Sequence, residues 1–254
     1  VRFLRIASKG TALAALFLVS AALAAALGRR LPPRLARLWL RVAASILGLR
    51  VRVLGAPTPA PALYAANHVS WIEVVALGGV APFTFVAKDD VARWPIIGPL
   101  AAAAGTLFLR RGSAAAAARA VNAVVERLAA GERVAAFPEG TSTAGDDVLP
   151  FKPCLFEAAA RLGCDVQPVV VRYPPRGGRR SPAPFIGDDE FLRHLLRVLA
   201  EPGLDVELVF ATPLSAHGRE RGELAAETWS VVSSTLDARR GAAGARGAAA
   251  ALAA

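Results

Sequence analysis

The stretch Arg133-Val134-Ala135-Ala136-Phe137-Pro138-Glu139-Gly140-Thr141-Ser142 carries the decision about the fold. Its first half is short and almost wholly apolar, the pattern of a strand buried on both faces. Pro138 and Gly140 then break the chain into a loop, which leaves a carboxylate, a flexible glycine and two hydroxyls at a strand end. Carboxyl ends of strands are where open α/β sheets hold ligands. The plain alternative is an ordinary turn with Glu139 in solvent. Upstream, the apolar residues 63–66 give way in the same manner to Asn67-His68-Val69-Ser70-Trp71-Ile72-Glu73 at the start of a helix. A histidine and a second carboxylate therefore also stand at a strand end.

Outward from these two stretches, strand-like and helix-like segments alternate. Residues 63–66, 84–88, 106–110, 133–137, 167–173 and 205–210 read as strands, and residues 71–77, 113–130, 153–162 and 189–199 as helices. Such alternation predicts an α/β fold: a central, mostly parallel or mixed sheet flanked by helices. At 254 residues the chain suits one large domain and a short appendage. The expected organisation is an N-terminal membrane-associated helical pair over residues 1–54, a catalytic domain over 55–235 entered through the proline-rich hinge 55–61, and a flexible Ala/Gly/Arg-rich tail over 236–254.

The formal net charge of +10 is unevenly placed. Arg2, Arg5, Lys9, Arg29, Arg30, Arg34, Arg37, Arg41, Arg50 and Arg52 all precede the first carboxylate, Glu73, and account for the whole excess. Interleaved with Leu, Ile, Val and Trp, they point to an anionic membrane surface and away from nucleic acid. Residues 11–27 form a nearly unbroken apolar run, slightly short of the roughly 20 residues that cross a bilayer. In residues 33–49, Leu35, Leu38, Trp39, Val42, Ile46 and Leu49 recur at helical spacing opposite Arg34, Arg37 and Arg41, as in an interfacial amphipathic helix. A cleaved secretory signal is the competing reading of the first run, and Arg29 and Arg30 directly after it oppose export. Cys154 and Cys164 are too few for a disulfide scaffold or a four-ligand zinc site. No metal is expected.

Five residues separate His68 from Glu73, and in a regular helix the two would point about 140° apart. A direct pair requires His68 to precede the helix. Ser70-Trp71-Ile72-Glu73 is also a capping box, in which Ser70 and Glu73 satisfy each other's amides. Both roles stay open for Glu73, and His68 alone reads equally as a structural histidine.

Together these stretches resemble the glycerolipid acyltransferase family, best known for 1-acylglycerol-3-phosphate acyltransferases. Asn67-His68 with Glu73 stands where that family has NHxxxxD, with Glu in place of Asp; residues 137–142 stand at its FPEGT block. Lys88, Trp94-Pro95, Gly98 and residues 105–111 resemble its GxxFIxR block, and residues 167–170 its final VPV-like strand. The resemblance implies transfer of an acyl chain from an acyl-CoA or acyl-ACP thioester to a lysolipid hydroxyl, with no cofactor beyond that co-substrate. His68 would be the general base and Glu73 its orienting carboxylate. Arg111 would bind an acceptor phosphate, reinforced by Arg110 and Lys88, while Glu139, Gly140, Thr141 and Ser142 would hold the acceptor.

The expected acceptor is 1-acylglycerol-3-phosphate, giving phosphatidic acid; another lysolipid, such as a lyso-ornithine lipid, is the nearest alternative, because Glu at position 73 fits a specialised branch. A non-catalytic lipid-binding scaffold with the same fold is the alternative of another class. A secreted hydrolase ranks below both, as no GxSxG elbow is present. The Ala- and Arg-rich composition fits a GC-rich bacterial source, making the cytoplasmic face of the inner membrane the expected location.

Overall fold

A computed structural model describes residues 1–27, 32–94, 97–110, 112–176 and 178–252. The strands are β1 (Leu49–Leu54), β2 (Ala62–Ala66), β3 (Thr84–Lys88), β4 (Leu107–Leu109), β5 (Val134–Ala136), β6 (Asp165–Arg172) and β7 (Leu204–Phe210). The helices are α1 (Arg2–Leu27), α2 (Pro33–Leu47), α3 (Ile72–Val80), α4 (Ile97–Ala103), α5 (Ala114–Ala129), α6 (Phe156–Leu162), α7 (Phe191–Ala200) and α8 (Arg221–Leu252). Among the described residues seven strands join in one mixed sheet of order β1-β7-β6-β2-β5-β3-β4, parallel throughout except between β6 and β7.

The period-two rule for strands explains the layers. In the central strand β2, Leu63 and Ala65 join Val134, Val166, Val170 and Phe156 on one face. Tyr64 and Ala66 join Leu77, Phe85, Val169 and Leu208 on the other. Helices α5, α6 and α8 cover the first face; α2, α3 and α7 cover the second. Helices α2 and α3 approach so closely that a Cβ on Gly78 would lie 2.2 Å from Leu40 Cδ1, so a larger residue there would push the Leu40 side chain aside.

The parallel register also fixes where the two sequence stretches meet. Leu63, Tyr64 and Ala65 pair with Val134, Ala135 and Ala136, so Asn67-His68 and Pro138-Glu139 leave the sheet side by side. Strands β3 and β4 end at the same edge, with Lys88 level with Leu109.

Two expected boundaries need correction, and the N-terminal helices add contacts of their own. Residues 49–54 belong to the sheet, since β1 pairs with β7; the boundary at residue 54 fails because a polar-apolar alternation in an edge strand resembles the end of the preceding helix. In α2 the face turned inward is that of Trp39, Leu40, Ala43 and Leu47, while Leu38 and Val42 face outward. Arg5 and Lys9, counted above among the membrane-directed cations, also make contacts within the protein. Lys9 Nζ donates to the carbonyls of Leu47 (3.0 Å) and Glu201 (2.8 Å), and Arg5 to that of Ala200 (3.4 Å), supplying donors to the open C-terminal ends of α2 and α7. Last, the tail does not begin at residue 236: Leu236 is buried, and Arg239 binds Glu207 through two hydrogen bonds of 2.8 and 2.7 Å.

That last pair yields a prediction. Glu207 is buried in the sheet, and its hydrogen-bonded Arg239 guanidinium holds its carboxyl below the usual range. Arg239→Ala removes both close hydrogen bonds, leaves Glu207 the looser Arg172 contact at 3.8 Å, and is expected to cost about 2 kcal/mol at neutral pH. A carboxyl lowered in the folded state contributes stability above its unfolded pKa and loses it as pH falls through the folded value. Urea melts of the two proteins should therefore converge in acid.

Candidate active site

His68 leaves β2 four residues before α3 begins, so the helical separation from Glu73 never applies. Glu73 sits in the first turn of α3, fully buried, and reaches back under the loop. Its Oε2 lies 2.6 Å from His68 Nδ1. Its Oε1 accepts the amides of Val69 (3.0 Å) and Ser70 (2.6 Å) and the hydroxyl of Tyr173 (3.2 Å). The two roles left open by the sequence are thus filled together, one by each oxygen. Ser70 does not complete the box, its Oγ lying 3.4 Å from the Ile72 amide.

An ionised carboxylate only accepts, so the proton between the pair resides on His68 Nδ1 and Nε2 keeps its lone pair. Burial pushes the Glu73 carboxyl up, and His68 and the two amides pull it back. Tyr173 is driven well above its ordinary value by burial and by Glu73, and remains a donor. The imidazole is held face-on by Phe137, with ring centroids 4.4 Å apart and planes 24° from parallel, and its side chain is 24% exposed.

The loop is tied down at nearly every main-chain polar atom, as buried backbone requires. Asn67 clamps the ends of β2 and β6 through Val171 O (2.9 Å) and Val171 N (2.7 Å). The carbonyl of His68 accepts from Thr143 N at 2.8 Å, and that of Val69 from Phe185 N at 2.9 Å. Glu139 supplies the remaining acceptor. Its Oε1 takes the His68 amide at 2.6 Å and its Oε2 the Leu149 amide at 2.8 Å, with the residue 2% exposed. Both oxygens already serve main-chain donors, which makes Glu139 a brace between the His68 loop and the loop after Gly140. The resemblance implies a contact between Glu139 and the acceptor; in this structure its two oxygens meet main-chain amides.

The other expected residues divide by position. Gly140 takes a left-handed φ of 74°, which turns the loop sharply after Glu139. Ser142 donates to Phe185 O, and Thr141 is exposed. Lys88 and Arg110 line the same groove as His68, and Arg110 approaches Asp89 only loosely, at 3.9 Å. Arg111, Arg29 and Arg30 lie outside the described residues. Sequence reading missed Lys152, whose amide bonds to Pro138 O at 3.0 Å and whose side chain lines the groove. It also missed His194. That ring is buried; its Nδ1 accepts from the Trp71 indole at 3.1 Å and its Nε2 faces the carbonyls of Ala183 and Pro184 at 3.0 Å each. Burial pushes His194 down, so it stays neutral and fixes Trp71 beside His68.

The groove holds about 710 Å³. Leu13 and Phe17 of α1, Trp39 and Leu40 of α2, and Val74 of α3 form apolar wall, while Lys88, Arg110 and Lys152 add cations. No Asp or Glu is among its described lining residues. Such a cavity suits an apolar chain attached to an anionic head, brought against an imidazole with a free nitrogen. Among the described residues no three His, Cys, Asp or Glu side chains gather in a cluster able to hold a metal.

Glu139→Gln tests the brace. One oxygen becomes an NH2 facing an amide donor, so the His68 loop should shift and turnover fall about 10²-fold. Burial raises the Glu139 carboxyl, so the stability it contributes is complete below its unfolded pKa and declines as pH rises through the folded value. The variant's stability deficit should accordingly shrink as pH rises, as thermal melts across pH would show.

Known proteins resemble the chain in sequence and in fold. The Acyltransferase family model matches residues 50–172. A lyso-ornithine lipid O-acyltransferase of Pseudomonas aeruginosa is 41% identical over 200 residues, 78% of this chain and 77% of the relative. A 1-acyl-sn-glycerol-3-phosphate acyltransferase of Neisseria gonorrhoeae is 35% identical over 169 residues, 66% of each chain. The fold matches the crystal structure of the 1-acyl-sn-glycerophosphate acyltransferase of Thermotoga maritima with a TM-score of 0.63 at 23% identity, over 82% of this chain and 79% of that one. With a mixed sheet that delivers a histidine, its carboxylate and a braced loop to one lipid-sized groove, and with this similarity to known enzymes, the chain belongs to the acyltransferase family.

Proposed function

We propose that the chain O-acylates lyso-ornithine lipid at a membrane surface, drawing the acyl group from an acyl-CoA or acyl-ACP thioester. The observation that carries the choice of acceptor is similarity: 41% identity over 78% of this chain to a lyso-ornithine lipid enzyme, against 35% over 66% to a glycerophosphate enzyme. Each acceptor carries an anionic group, a carboxylate beside an ammonium in one and a phosphate in the other, and Lys88, Arg110 and Lys152 can pair with either. Glycerophosphate acylation is therefore the second reading.

The chemistry is the same for either acceptor. As the acceptor hydroxyl attacks the thioester carbonyl, its proton passes to His68 Nε2, and the imidazolium is stabilised by Glu73 across the 2.6 Å contact. Collapse of the tetrahedral intermediate breaks the C–S bond, and the proton returns from Nε2 to the leaving sulfur. The products are an ester and a free thiol, with no covalent enzyme intermediate. Membrane attachment rests on α1, whose Arg2–Ser20 segment is long and apolar enough to cross a bilayer and is 11% buried.

The test supplies purified full-length protein with labelled acyl-CoA and acyl-ACP and with both lysolipids in vesicles. Faster acylation of lyso-ornithine lipid is the expected result. Transfer to the glycerophosphate alone would reverse the assignment, and transfer to neither would leave a lipid-binding scaffold.

A further inference from the structure

We infer that α7 is a second membrane contact, seating the groove directly in the lipid leaflet. The inference rests on the membrane-surface reading and extends it from the N-terminal helices into the catalytic domain. In α7, Phe191 and Leu195 line the groove. One position on, Leu192 and Leu196 point outward, 66% and 42% exposed, one helical turn apart. Next to them stands Arg193, its side chain 83% exposed and only 3.7 Å from an equally open Glu190, an ion pair worth little in water. Val198 and Leu199 fill the core side.

An exposed leucine pair bordered by an arginine, on a helix whose inner face is already satisfied, is the pattern of an element lying at the acyl–headgroup boundary. The occupant follows from continuity. Helix α1 packs against α7 and is tied to its C-terminal end through Arg5 and Lys9. Phe3 and Leu4 on α1 are 86% and 73% exposed, as are Leu18 and Val19 at 72% and 66%. The membrane helix thus brings lipid alongside α7. A lysolipid would then slide past Leu192 and Leu196 into the wall formed by Phe191 and Leu195, keeping its chain out of water throughout.

Two measurements test this. Leu192→Ser with Leu196→Ser should lower transfer to a lysolipid embedded in phosphatidylglycerol/phosphatidylethanolamine vesicles at least 5-fold. Transfer to a short-chain, water-soluble lysolipid should stay within 2-fold, since neither leucine lines the groove. Equal loss on both acceptors, or loss on neither, overturns the inference. In the second, a polarity-sensitive dye on Leu196→Cys, in a Cys154→Ser, Cys164→Ser background, should shift to the blue with vesicles. The same dye on Glu126→Cys, exposed on α5 across the sheet, should not. Vesicle-bound protein with no shift at position 196 defeats the role of α7 alone; protein that stays in the supernatant defeats the membrane reading itself.

Discussion

His68→Ala is expected to lower turnover about 10³-fold, the contribution typical of a positioned general base. A lysolipid hydroxyl loses its proton too reluctantly near neutral pH to attack unaided, and among the described residues lining the groove His68 alone combines an oriented ring with an available lone pair. The fold should survive. Glu73 keeps its three donors at Oε1, and the loop keeps its bonds to Glu139, Thr143 and Phe185. The cost in stability should be about 1 kcal/mol near pH 5, and it should grow with pH. Without His68 to favour the charged form, burial lifts the Glu73 carboxyl further, and a carboxyl raised in the folded state loses stability as pH rises through its folded value. Single-turnover assays and thermal melts across pH would check both parts; near-normal turnover would remove His68 from the chemistry.

How far such a site can be read from sequence depends on the range of the interaction involved. The pairing of His68 with Glu73 was legible because both lie within seven residues and the helical geometry restricts where His68 can be. The juxtaposition with residues 137–142 was legible through apolar strands with polar ends, which parallel pairing turns into one site. Tyr173 and His194 gave no local signal. Each acts on the 67–73 segment from 100 or more residues away, and nothing beside them in the chain distinguishes them from packing residues. Glu139 shows the converse. Its motif was visible, yet the direction of its carboxylate depends on which amides the fold brings near. The edge strand β1 escaped because Arg50 and Arg52 alternate with Leu and Val much as the preceding helix alternates its charges, and only the partner strand β7 separates the two patterns.

Glu73→Gln should be nearly as damaging as loss of the histidine, with turnover down about 10³-fold or more while the protein melts close to wild type. The argument is a count of donors. Three groups point at Oε1, namely the amides of Val69 and Ser70 and the Tyr173 hydroxyl, and one at Oε2, the Nδ1–H of His68. A glutamine has one oxygen to offer, and setting its NH2 against three donors costs more than setting it against one. The amide oxygen therefore stays under the loop and the NH2 faces His68. Nδ1 must then accept, its proton moves to Nε2, and the nitrogen that should take the hydroxyl proton is already occupied. Glu73→Asp makes a different defect: the shorter side chain cannot span both the loop amides and the imidazole without moving one of them, so an intermediate loss of about 10-fold to 10²-fold is expected, with a lowered melting temperature. Measured together, the two variants separate tautomer control from reach. If Glu73→Gln kept more than a tenth of wild-type turnover, the 2.6 Å contact would be a structural tether for His68 and the proton would have to leave by another route.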